Sequence, residues 1–325
     1  MTNSTYKKEG KNMDISKVKI FVRDIFLTIG ILLTMFSPFT DQSGVPYEAK
    51  NADELVMSMS VVSDTHVERL NPTSFGYFYD ILKNIKAGED IDAVAYLGDN
   101  VMNGQYLEDT FFYSALKKVN PSENQYVIVG NHDLGLGKLN YEDSCKEFIT
   151  NNKIYLGNDI DKTYYYKIIN GCYVIALASE DETAQGFHMS DAQIEWMKGV
   201  LEEAKAANAP IIVLCHFPIF EIAGEDSNGN PRDYRDLAWI LNKYDKVLYL
   251  YGHRHNELKS DSFKDWHGVK VINLPRVTEY FDYEPGDGVV IEVYNDHFLV
   301  KGRDFVKGEW VDGLEYTYNF KTPIR

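Results

Sequence analysis

The chain has 325 residues, 44% of them hydrophobic and 25% charged, which suffices for a large core in one α/β domain and fits neither a polytopic membrane protein nor wholesale disorder. A formal net charge of -16 argues against long nucleic acid as a partner, because a surface that neutralises phosphates must be basic. The cysteines Cys145, Cys172 and Cys215 are too few and too scattered for a disulfide framework or a thiolate zinc site, and read as buried thiols.

Residues 1–50 stand apart from the rest. A polar, net basic lead over residues 7–24 precedes the apolar run IFLTIGILLTMFSPF at residues 25–39. That run is short of the roughly 20 apolar residues of a bilayer span but fits the apolar centre of an export signal. No small-x-small cleavage site follows, so the segment reads as a signal peptide or an uncleaved signal-anchor. Either would place the protein outside the cell or at its surface, with membrane association in the anchored form. The competing reading is a buried helix of a cytosolic protein. Against it, a core helix would show polar positions at helical period, and this run has only isolated Thr and Gly.

Residues 51–325 read as one domain in which strand and helix patterns alternate from Met57 onward. VMSMSVVSDTH is a strand ending in polar residues, and FGYFYDILKNI, apolar at spacings of three and four, is an amphipathic helix. DAVAYLGDN and QYVIVGNHD repeat the strand followed by a polar loop. In YYYKIINGCYVIALAS the pair Asn170 and Gly171 supplies the left-handed turn of a two-residue hairpin. Ser190 followed by Gln193 is a capping-box signal for the helix DAQIEWMKGVLEEAKAA, with Ile194, Met197, Val200 and Leu201 on its apolar face. Strands follow at PIIVLCHF, KVLYLYGHRH and VKVINL. Residues 221–236, rich in Gly, Asn and Asp, form a loop expected to shape access to a site. A C-terminal hairpin, VVIEVYNDHFLVKGRDF, turns at Asn295 and Asp296.

Polar clusters fall just after the apolar runs, where open α/β sheets build their sites. The strand ends deliver Asp64 and His66, then Asp99, then Asn131 and His132, then His216, then His253 and His255. Carboxylate and imidazole without thiolate suit Mn, Fe, Zn or Co. Donors drawn from several strand ends suit a catalytic site better than a structural one, which uses compact local spacing.

The order DxH, GD, GNHD, a lone His and GHxH resembles that of the calcineurin-like metallophosphoesterases, and the likeness covers residues 57 to about 303. The stretch from Ser190 through QIEW to IIVLCHFP is similar to the cyclic-nucleotide phosphodiesterase and purple-phosphatase branch. The resemblance implies a four-layer α/β sandwich, two mixed β-sheets flanked by helices, and two divalent or mixed-valence transition metal ions, Mn, Fe or Zn. It implies that Asp64, His66 and His255 hold the first metal, Asn131, His216 and His253 the second, and that Asp99 bridges them. His132 then faces the scissile phosphate without touching metal, and Asp133 orients it. Two departures stand out. Met102 occupies the position where purple acid phosphatases place a Tyr, so a charge-transfer iron site is not expected. Arg254, in the middle of GHRH, either points to the surface or reaches substrate phosphate.

Two metal ions sharing a water make a hydroxide available near neutral pH, so phosphoester hydrolysis needs no protein nucleophile. The sequence has no convincing Ser or Cys nucleophile motif, in keeping with this. The expected substrate is a small phosphorylated molecule, a diester or a monoester. The alternative is a non-catalytic metal-binding scaffold of the same fold.

Overall fold

The computed structural model describes residues 15–36, 49–51, 54–88, 91–183, 186–219, 237–278 and 284–320. The loop 221–236 and residues 1–14 and 37–48 of the leader lie outside the described residues. The chain begins with α1 (Ile15–Phe36), β1 (Met57–Val62), α2 (Pro72–Ala87), β2 (Ala93–Tyr96), α3 (Tyr106–Val119), β3 (Asn124–Val127) and α4 (Tyr141–Asn151). It continues through β4 (Tyr165–Ile169), β5 (Cys172–Ala176), α5 (Asp191–Ala206), β6 (Ile211–Leu214), the short α6 (Leu237–Leu241) and β7 (Val247–Tyr251). The last strands are β8 (Phe263–Trp266), β9 (Val269–Asn273), β10 (Asp287–Val293), β11 (His297–Asp304) and β12 (Glu309–Asn319).

These strands form two six-stranded mixed sheets, ordered β12-β11-β10-β1-β2-β3 and β4-β5-β6-β7-β9-β8. In the first, β1, β2 and β3 run parallel and β10 joins β1 antiparallel. In the second, β5, β6, β7 and β9 run parallel, flanked by antiparallel β4 and β8. Alternation along each strand divides the core into three interfaces. Met57, Met59, Val61, Ala93 and Ala95 meet Val174, Ala176, Ile212, Leu214 and Leu248 between the sheets. Val62, Val94, Tyr96 and Val127 face outward onto Phe75, Phe78, Phe112 and Leu116 of the helices. Tyr173, Ile175, Val213 and Tyr249 do the same against Ile194, Met197, Val200 and Leu201 of α5. This is the four-layer sandwich expected, and it explains why the parallel strands β2, β5, β6 and β7 are unbroken apolar runs: both of their faces are covered.

The hairpin β4 to β5 turns as expected, with positive φ at both Asn170 and Gly171. Two strands were not legible in the sequence. β8 and β12 are edge strands with largely exposed residues, so an apolar run is absent from both. Helix α1 packs along α2, burying Ile31 and Met35 in the outer cluster, and the Tyr79 hydroxyl donates to the Met35 carbonyl at 3.3 Å. Among the described residues, no helix is long and apolar enough to cross a membrane.

At the start of α5, Ser190 Oγ accepts from the Gln193 N–H at 3.2 Å, which is one half of a capping box. The reciprocal half is replaced. The Ser190 N–H donates to Glu180, while the Gln193 amide spans the Ala178 N–H and carbonyl, at 3.0 Å each, and also reaches Glu180. Gln193 is fully buried and ties α5 to the chain leaving β5. Gln193→Leu strands the two backbone groups of Ala178 away from water, so stability should fall by roughly 2–3 kcal/mol. A lower urea midpoint at unchanged slope is the expected result.

Candidate metal centre

The centre is built where parallel strands stop. Asp64 and His66 follow β1, Asp99 follows β2, Asn131 follows β3, His216 follows β6, and His253 and His255 follow β7. Asp64, His66, Asp99, His253 and His255 all have φ between 42° and 67°. Left-handed backbone at non-glycine residues is uncommon and costs on the order of 1–3 kcal/mol each. Here it turns the chain sharply out of the strand, so that side chains from different strands point into one volume. The motif glycines permit the close approach. A Cβ on Gly130 would lie 2.3 Å from Asp99 N and Oδ1, and one on Gly252 would lie 2.3 Å from Asp64 Oδ2.

Two groups of donor atoms result. Asp64, His66, Asp99 and His255 bring one atom each to within 4.8 Å of the others, and Asp99, His216 and His253 do the same. In the first, His255 Nε2 lies 3.0 Å from both Asp64 Oδ1 and His66 Nε2. In the second, Asn131 Oδ1 lies 3.1 Å from both His216 Nε2 and His253 Nδ1, and His216 Nε2 is 3.3 Å from Asp99 Oδ2. Asp99 belongs to both groups. The structure thus brings together all seven residues expected as ligands, divided as the resemblance implies.

The donor chemistry fits cations. The His216 Nδ1–H donates to the Leu97 carbonyl at 2.8 Å, which leaves Nε2 with a lone pair aimed at Asp99 and Asn131, themselves acceptors. Such a carbonyl partner is the usual orienting contact of a metal-ligating histidine. Convergent acceptors buried from water repel one another unless a proton or a metal ion lies between them. The electrostatics reflect this. Burial works to raise the pKa of Asp64, but hydrogen bonding and charge from His255 and hydrogen bonding from His66 hold it well below the carboxylate range. Asp99 is likewise depressed, against its burial, mainly by His216. Burial pushes His66 down to about 4; at His216 burial also pulls down, but the charge and hydrogen bond of Asp99, the charge of Asp64 and the Leu97 carbonyl together lift it to about 9.

Beside the donors lies His132. Its Nε2 is 3.9 Å from Asp99 Oδ2, its ring meets that of His66 edge to face at 4.6 Å, and it retains exposure where His66 and His216 are buried. The expected role of Asp133 needs correction. Its carboxylate does not orient His132. It accepts from the backbone N–H groups of Gly130, Asn100 and Val101 at 2.7, 2.8 and 3.1 Å, clamping the β2 and β3 loops together. Burial and the charge of Asp99 raise its pKa to about 7. The Met102 carbonyl holds the imidazole instead, accepting from Nδ1–H at 2.6 Å. A backbone partner leaves no mark on residue type, so the sequence could not reveal it. Arg254 lines a cavity that also includes His255.

The sequence matches the family model for calcineurin-like phosphoesterases over residues 57–257. Among solved structures, a dimetal phosphatase from Danio rerio is similar with a TM-score of 0.54 at 14% identity, covering 82% of this chain and 100% of that one. A purple acid phosphatase from yellow lupin (Lupinus luteus) seeds is similar with a TM-score of 0.56 at 16% identity, covering 81% of this chain and 53% of that one. At these identities the likeness to both is one of fold. Comparison with curated proteins gave no match.

Asp99→Asn removes a charge common to both donor groups while keeping the shape of the side chain. Elemental analysis of the purified variant should give far less metal per chain than the parent. Full retention of metal would show that Asp99 does not bridge.

Proposed function

The chain belongs to the calcineurin-like phosphoesterase family, and from that premise we propose that it hydrolyses a small phosphodiester at the centre around Asp99. The observation that carries this reading is the pair of buried donor groups meeting at one carboxylate. Metal ions held there supply a water acidified to hydroxide near neutral pH, and positive charge for the phosphate oxygens. Manganese, iron and zinc all suit the donors.

The residues of the chain have distinct tasks. Asp64, Asp99 and the four histidines of the donor groups fix position and charge. His132, oriented by the Met102 carbonyl, presents Nε2 toward the centre from a solvent-accessible side. From there it donates a proton to the departing ester oxygen, or a hydrogen bond to the phosphoryl group. Preference for a diester rests on the neighbouring cavity of about 360 Å³, lined by Tyr251, Arg254, His255, Lys259 and Asn273 among others. Tyr251 and Asn273 are register partners at the carboxyl ends of β7 and β9 and form its floor. Asn273 Oδ1 is buried without a hydrogen-bond partner. An ester group bearing a hydroxyl or N–H donor would satisfy that acceptor, and Arg254 is then the substrate-binding cation.

Parallel turnover of a nitrophenyl phosphodiester and a nitrophenyl phosphomonoester, with and without manganese, tests the reading: metal-dependent turnover favouring the diester is expected, and no turnover of either ester would overturn it. His132→Ala should keep its metal, since no donor is removed, yet lose roughly 100-fold or more in rate. The loss should be greater for an alkyl ester, whose alkoxide must be protonated, than for a nitrophenyl ester. Equal losses would assign His132 to electrostatic stabilisation, and metal loss would make it a ligand.

A further inference from the structure

Helix α1 carries an apolar face that no described residue of the domain covers. At 100° per residue, Phe21, Val22, Ile25, Phe26, Ile29 and Leu32 fall within an arc of about 140°. All six are exposed, Phe21 by 66% and Phe26 by 68%. Ile31 and Met35, which pack on α2, lie outside this arc. The packing runs parallel. Gly30 faces Pro72 at the start of α2, Met35 meets Tyr79 farther along, and Phe36 lies under Lys118 near the end of α3. The N-terminal half of α1 therefore projects past the start of α2, beyond the end of the sandwich where the candidate ligands sit.

An apolar face this continuous marks a partner rather than ordinary surface. Its charge setting selects which. Residues 1–24 carry six basic and three acidic residues, whereas the whole chain is at -16. Lys19 and Arg23 follow Phe26 around the helix, at one edge of the arc. Basic side chains bordering an apolar face match anionic lipid headgroups above acyl chains. A second copy would instead bring two like-charged basic segments together. Crossing the bilayer is also unfavourable. Within the helix as described, Lys19, Arg23 and Asp24 leave only residues 25–36 uncharged, about 18 Å against a hydrocarbon core of about 30 Å.

We propose that α1, retained in the mature protein, is an in-plane anchor that seats the domain on an anionic lipid surface. This does not depend on the catalytic reading. Flotation of the full chain with vesicles of phosphatidylcholine, with and without roughly 30 mol% phosphatidylglycerol as the anionic lipid, reads it directly. Binding to the anionic vesicles that weakens with salt is expected. The double variant Phe21→Ser with Phe26→Ser should lose at least about tenfold in binding. Lys19→Gln with Arg23→Gln should lose the preference for anionic lipid. Both alter exposed side chains, so turnover of a soluble nitrophenyl diester should match the parent. Absence of flotation, equal flotation of the Phe variant, a Phe-dependent dimer in ultracentrifugation without lipid, or a mature chain whose mass lacks α1 would each overturn the proposal.

Discussion

Seven side chains with converging acceptor atoms share one buried volume, and the positive charge that balances them is the condition on which this architecture rests. Without it, Asp64 and Asp99 would face each other and Asn131 across a low-dielectric space with only histidine protons between them. Burial lowers the pKa of His66 while neighbouring carboxylates raise that of His216, so the two donor groups are electrostatically unlike although they share a carboxylate. A cation answers the demand in both. The left-handed turns at five of the seven residues are tolerated for the same reason, since they deliver the donors into that volume.

The surrounding fold is organised to hold these turns. Buried strands covered on both faces stop at one level, and backbone groups beyond them are tied by side chains that lie outside the two donor groups. Asp133 gathers three N–H groups from two loops, and the carbonyls of Leu97 and Met102 each set an imidazole. Asn100, whose amide donates to the Ile128 carbonyl and to Asp133, links the β2 and β3 ends again. Positioning is thus a property of strand ends and backbone, and chemistry is a property of a few side chains.

This division explains what the sequence could disclose. The apolar runs, the Asn170 and Gly171 turn and the polar clusters after strands are written in residue type, and the structure has them where the pattern put them. The edge strands β8 and β12 carry no such pattern, because an edge strand buries little. Composition could not tell His132 from the candidate ligand histidines; the family resemblance alone implies that distinction. Asp133 was misread because its neighbour in sequence, His132, was a plausible partner, while its real partners are N–H groups that every residue owns. The second half of the capping box failed similarly, since Gln193 had a buried backbone to satisfy elsewhere.

Each donor group draws on both sheets. Asp64, His66 and Asp99 come from one sheet and His255 from the other, while Asp99 and Asn131 face His216 and His253 across the same divide. A pair of ions seated there would add a non-covalent staple between two sheets that are otherwise joined by apolar contact and a few hydrogen bonds, such as that from His216 Nδ1–H to the Leu97 carbonyl. Unfolding would have to release it, so the melting temperature would become a titration of free metal, each factor of ten in metal concentration above the dissociation constant adding about 1.4 kcal/mol per bound ion. Chelation would then loosen the seam between the sheets before it reached either outer layer of helices.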